Sequence, residues 1–295
     1  MMKRLLCAML ALAAMVSAAF AEALPQYVQL TPGESKTFDL PFAGSWESEM
    51  PEIAYGTGDT ICALEEGYTM LYLTDGVNET MVEVEVEDPV PQVIRDAIDI
   101  ALQEWQEVGE KRLDKTKRGN KYIKWWGYEN IGWCGAFVGY CLDTAGVELE
   151  PSDNWKKVKP LEDGRPYSLR EAGVPKLRTG FTNMDRITDV PRPGYLIIFG
   201  AKGYYADVHV GMITDVVDRG NGVYQLFTVE GNIGGSTVKR YSFLYDSKAE
   251  MKTNMSYLPE EEWTVEGVYY EGPRQTKADG KKYNWYVQAI CQTWQ

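Results

Sequence analysis

Two residues stand out for the chemistry their positions allow: a cysteine that opens an apolar helix, Cys134, and the single histidine of the chain, His209. The stretch from Cys134 to Ala145 is apolar almost all round and is followed by Gly146, which predicts a buried helix with its stop signal. A thiol with the ordinary pKa of about 8.5 is only about 3% thiolate at pH 7. A helix N-terminus favours the anion by roughly 1–2 kcal/mol, so a neighbouring imidazole is needed to complete the activation. His209 lies in Asp207-Val208-His209-Val210-Gly211, at the start of a long apolar segment. An imidazole acting as a base needs a partner on its other nitrogen. The next apolar segment ends Val229-Glu230-Gly231-Asn232, so an antiparallel neighbour would bring Glu230 or Asn232 within reach. The backbone N–H of Cys134 is the natural oxyanion donor, with Tyr122 or Asn120 as the expected second.

Each residue also has a plainer reading. Cysteines in apolar helices mostly pack, and Cys141, two turns further on, is assigned that role. A lone histidine between valines is more often a satisfied core residue, and Glu-Gly-Asn is an ordinary turn. Trp133 is expected in the core; Trp125 and Trp126 are left open between core and a glycan-binding groove. The order and context of the four polar groups favour the catalytic reading. No CxxC or clustered His/Cys set is present, so neither zinc nor any other cofactor is implied.

The elements that must position these groups follow along the chain. Lys3 and Arg4, the apolar run Leu5–Val16 and the ending Ala19-Phe20-Ala21 read as an export signal over residues 1–21, cleaved after Ala21. Cys7 sits too early in the apolar run for a lipid anchor. The run is too short to span a bilayer, and no later segment reads as a membrane span. The product is therefore expected to be secreted, extracellular or associated with the cell wall. Loss of the leader moves the formal charge from −13 to −15, because it removes two bases and no acid. That sign argues against nucleic acid and against electrostatic capture by anionic lipid or teichoic polymers. Cys134 and Cys141, seven residues apart on one helix, are separated by about 10 Å, beyond disulfide reach. A Cys62–Cys291 bridge stays open.

Residues 22–88 read as all-β, with turns such as Thr31-Pro32-Gly33-Glu34 and a final strand in which Val82, Val84 and Val86 alternate with glutamates. Asp88-Pro89-Val90-Pro91 is a stiff connector. Val93, Ile94, Ala97, Ile98, Ala101, Trp105 and Val108 then recur at helical spacing. The basic stretch Lys111–Lys121 follows. Residues 148–190 read as irregular. Strands are expected at Leu196–Phe199, Val208–Val217, Val223–Glu230 and Val238–Phe243, with a fifth at Val265–Tyr270 before an unassigned tail. Helices first and a meander second is an α+β plan.

The segments "GNKYIKWWGYENIGWCGAFVGYCLDTAGV", "PRPGYLIIF", "DVHVGMI" and "VEGN", in that order, resemble the CHAP family of cysteine- and histidine-dependent amidohydrolases/peptidases, which are relatives of NlpC-type papain-like enzymes. The first region, with "LTPGES" and "ALEEGYTMLYL", resembles the bacterial Ig-like group 2 domain. The resemblance implies two domains: an N-terminal all-β Ig-like sandwich (22–88) and a C-terminal α+β papain-like domain with an antiparallel sheet (92–272). Residues 273–295 would be a tail. It also implies a peptidoglycan hydrolase, of the N-acetylmuramoyl-L-alanine amidase or endopeptidase type, acting on stem peptides or crossbridges. The catalytic positions would be Cys134, His209, Glu230 and Asn232. Tyr195 departs from the family's usual Asp after the Pro-Gly turn, and the acidic cluster by which some relatives bind calcium is missing. The competing expectations are a wall-binding or adhesion protein whose domain no longer turns over, and an acyl-transferring relative using the same dyad.

Overall fold

Alternation of valine with glutamate at residues 82–87 makes one strand face apolar and the other charged, and the computed structural model buries the valines. The structure describes residues 22–87, 90–161, 163–201, 207–234, 236–272 and 285–295. The leader (1–21), Asp88-Pro89 of the connector and residues 273–284 of the expected tail lie outside the described residues. The chain divides into two units between Pro89 and Val90.

The first unit holds eight described strands: β1 (Glu22–Ala23), β2 (Tyr27–Leu30), β3 (Ser35–Asp39), β4 (Ser45–Ser48), β5 (Ala54–Thr57), β6 (Thr60–Ala63), β7 (Gly67–Thr74) and β8 (Glu79–Val86). They form two four-stranded sheets, ordered β1-β3-β6-β5 and β2-β8-β7-β4. Both sheets contribute to one core: Phe38, Ala54 and Ile61 from the first, Val28, Leu71 and Val84 from the second.

The second unit begins with helix α1 (Gln92–Val108), whose Ile94, Ala97, Ile98 and Ala101 face inward at three- and four-residue steps. Helix α2 (Lys121–Trp126) is capped by Asn120, and α3 (Cys134–Ala145) ends at Gly146 in the left-handed conformation, φ 97°. Strands β9 (Glu148–Glu150) and β10 (Tyr167–Leu169) pair with each other. Helix α4 (Val174–Asn183) occupies a region the sequence reads as irregular. Its signals are short-range: Pro175 in its first turn, and Val174, Leu177 and Phe181 buried one turn apart.

A seven-stranded sheet follows, built from β11 (Ile187–Thr188), β12 (Leu196–Ala201), β13 (His209–Asp218), β14 (Val223–Ile233), β15 (Thr237–Asp246), β16 (Met255–Ser256) and a strand near the C-terminus. The expected fifth strand at Val265–Tyr270 is instead a small separate hairpin, β17 (Thr264–Val265) with β18 (Val268–Tyr269). The element that completes the sheet is β19 (Trp285–Cys291), which inserts between β11 and β12. Residues 285–291 are therefore an internal strand of the second unit, next to the short edge strand β11, and not a tail. Their buried residues Val287, Ala289, Ile290 and Cys291 belong to the core and could not be left in water without exposing it. All pairings in this sheet are antiparallel. The fold is thus mixed and sheet-rich. Among the described residues no helix is long and apolar enough to cross a membrane.

Candidate active site

Helix α3 packs against α1, β13 and β14, and glycines set how closely it docks. A Cβ at Gly231 would stand 2.5 Å from Phe137 and 2.7 Å from Trp133, so only glycine lets the head of α3 settle on β14. A Cβ at Gly135 would stand 2.5 Å from the carbonyl oxygen of Ala172, which lets the segment 171–173 press against the first turn of α3, beside Cys134. Trp133 is fully buried and stacks on Tyr122 at 5.0 Å.

This docking brings Cys134 against His209. The imidazole hydrogen-bonds the Cys134 side chain and also contacts Glu230, with Nε2 to Oε2 at 2.9 Å. Glu230 Oε1 accepts from the Thr228 hydroxyl at 2.8 Å, which fixes the carboxylate. The register explains the reach. Met212 pairs with Val229, so continuing the ladder sets Glu230 opposite Gly211. A Cβ at Gly211 would lie 2.6 Å from Glu230 Cγ; its absence lets the carboxylate lean across to His209, two residues along the same face. The ring is walled by Phe199, stacked at 6.0 Å, and by Trp285 of β19, edge-on at 5.8 Å. Arg178 of α4 ion-pairs with Asp207 at 3.1 Å, fastening the approach to β13.

The electrostatics follow from this geometry. Burial opposes ionisation of Cys134, but the hydrogen bond and charge of His209, with the N–H groups of Val210 and Gly135, outweigh it and hold the thiol below its ordinary range. Burial likewise disfavours the imidazolium. The bond and charge of Cys134, then those of Glu230, overcome this and lift His209 to about 9. The two groups titrate as a pair, and each shift favours the charged form, thiolate beside imidazolium. Cys141 goes the other way: burial and the nearby Glu104 push its thiol well up, leaving it an inert packing residue. Cys134, Cys141 and Cys291 of the second unit are free thiols.

Of the four polar residues singled out in the sequence, the structure joins Cys134, His209 and Glu230. Asn232 does not partner the imidazole. It sits at a register shift in β14 with φ 60°, and its Nδ2 lies 3.3 Å from where a Cβ of Gly132 would be. That places an amide against Gly132, two residues before Cys134 in the chain. The expected second oxyanion donors are both committed elsewhere. Asn120 accepts from the N–H groups of Tyr122 and Ile123 as the cap of α2 and donates to the Asp114 carbonyl. The Tyr122 hydroxyl donates to Glu104 inside the core. Trp125 and Trp126 are half-buried under Arg170, whose guanidinium lies 4.7 Å and 5.7 Å from their rings. Thr228, Gly211 and Trp285 are contributors the sequence did not single out. A Thr two residues before Glu230 on one strand face was the only local signal among them.

Among the described residues no group of three or more His, Cys, Asp or Glu side chains is placed to hold a metal ion. No protein-family model, curated protein or solved structure matches the chain.

Proposed function

We propose that this chain is an exported cysteine hydrolase that cleaves amide bonds in the peptides of bacterial cell wall. The observation that carries the reading is the ordered contact Cys134–His209–Glu230 at the head of a buried helix. In this reading Cys134 attacks the amide carbonyl as a thiolate and His209 protonates the leaving amine; water, giving its proton to His209, then cleaves the resulting thioester to the free acid and regenerates the thiolate. Glu230 holds the imidazole in orientation from Nε2. The backbone N–H of Cys134 and the Asn232 amide supply hydrogen bonds to the developing oxyanion. The papain-like arrangement and the peptide-stem substrate come from the resemblance to the CHAP family, and the first unit, with its Ig-like resemblance, serves as a spacer or adhesion module.

Mass spectrometry of fragments released from purified peptidoglycan tests this. Wild type should release peptide-bearing fragments with a new amine terminus, and Cys134→Ala should release none. Intact glycan and peptide after exhaustive incubation would refute the reading. One observation favours a second reading, a wall-binding protein without turnover: Cys134 and His209 are each only 5% exposed. Iodoacetamide at neutral pH separates the two, since an activated thiolate that admits substrate is alkylated quickly and a sealed one is not.

A further inference from the structure

The formal charge of the whole chain is −13, yet one pocket of about 760 Å³ is lined by five cations and a single acid. Lys111, Lys117 and Arg118 come from the loop after α1, Lys121 and Lys124 from α2, and Glu107 from the last turn of α1. Lys121 is already engaged, at 2.5 Å from Glu104 and 3.5 Å from Glu107. Among the described residues Lys111, Lys117, Arg118 and Lys124 make no ion pair. Four uncompensated cations round one concavity, on a chain where acids outnumber bases 43 to 30, is a local reversal of the field an approaching anion meets.

The pocket loop is tied to both elements that flank the candidate active site. The Asn130 N–H donates to the Lys115 carbonyl at 2.9 Å, and the Lys117 N–H to Glu129 at 2.8 Å, a few residues before Cys134. The Leu113 N–H donates to the Ser236 carbonyl at 2.9 Å, on the turn that follows Asn232. The first-turn amides of α2 are occupied by the Asn120 side chain, so no backbone cradle is open for a compact phosphate. What the pocket offers is several long-chain cations set round one concavity, which suits a ligand carrying several separated carboxylates.

We propose that this pocket binds the carboxylates of an acidic peptide segment of the substrate, steering it toward Cys134. The identity of the bound segment as substrate rests on the peptide-hydrolase reading above; the binding itself does not. The test uses the full chain carrying Cys134→Ala, titrated calorimetrically with N-acetyl-tetraglutamate, with tetraglutamine as the neutral counterpart. Saturable binding of the acidic peptide alone is expected, weakening as salt rises from about 20 mM to about 200 mM. Lys117→Glu with Arg118→Glu should lower the association constant roughly tenfold or more, while Lys157→Glu with Lys159→Glu, on exposed lysines outside the pocket, should leave it unchanged. The proposal is overturned by no saturable binding, by equal binding of tetraglutamine, or by an unchanged constant in the Lys117/Arg118 variant. Binding of inorganic pyrophosphate without binding of the peptide would also overturn it, in favour of a phosphate site. Because no turnover is needed, acidic-peptide binding by a chain that hydrolyses nothing would remove the hydrolase reading and leave the pocket standing. Hydrolysis without such binding would do the reverse.

Discussion

Titration of His209 before and after substitution of its two partners reads the candidate site most directly. The imidazole sits at about 9 in the folded chain against an ordinary 6.5, a difference equivalent to about 3 kcal/mol in favour of the cation. Burial works against that cation, so the favourable contacts must supply more than the net. The contributions of Cys134 are larger than those of Glu230. Cys134→Ala is therefore expected to lower the midpoint by more than about one pH unit, and Glu230→Gln to lower it by a smaller, measurable amount. The sign is fixed by linkage. The raised imidazole contributes stability that is fully present below about pH 6.5 and is lost as pH rises through about 9. The lowered thiol contributes stability present above its unfolded value and lost as pH falls through its folded one. The chain has one histidine, so nitrogen-15 histidine labelling needs no assignment: every imidazole signal of the folded protein is His209. A wild-type midpoint near 6.5 that ignores both substitutions would separate His209 from the thiol and take the catalytic reading down with it.

Other expectations can be checked independently. Cys141→Ala should cost about 1–2 kcal/mol in urea unfolding yet keep wall hydrolysis, whereas Cys134→Ala should abolish hydrolysis in a folded protein; the opposite pattern would reverse the assignment of the two thiols. Gly211→Ala puts a methyl 2.6 Å from Glu230 Cγ, so it should displace the carboxylate, lower both the His209 midpoint and turnover, and leave circular dichroism near wild type. Truncation before residue 285 removes β19 from between β11 and β12 and should abolish cooperative unfolding, which a dispensable tail would not do. A chain starting at Val90 keeps the second unit's own core and should fold and hydrolyse soluble stem peptides; a folded but inactive product would show that the first unit helps to build the site.

Local pattern was enough for the parts that local physics governs. The limits of α3 follow from an apolar run that meets Gly146, and β8 from its alternating valines, because period and stop signal lie within a dozen residues. The pairing of the thiol with an imidazole was legible for a related reason: one histidine leaves no choice of partner. The selection of Glu230 over Asn232 was not legible, since both occupy the end of β14. It depends on a register shift at residue 232 and on the missing Cβ of Gly211, properties of the pairing between two strands. The competing uses of Asn120 and Tyr122 were hidden likewise. A cap and a buried hydroxyl look like free donors until α2 is seated on its neighbours and Glu104 of α1 arrives beside Tyr122. Most remote of all is Trp285, which walls His209 from a strand 76 residues further along the chain. Hydrophobicity tells such a strand to be buried, but which two strands it enters between is decided only when the whole sheet closes over its core.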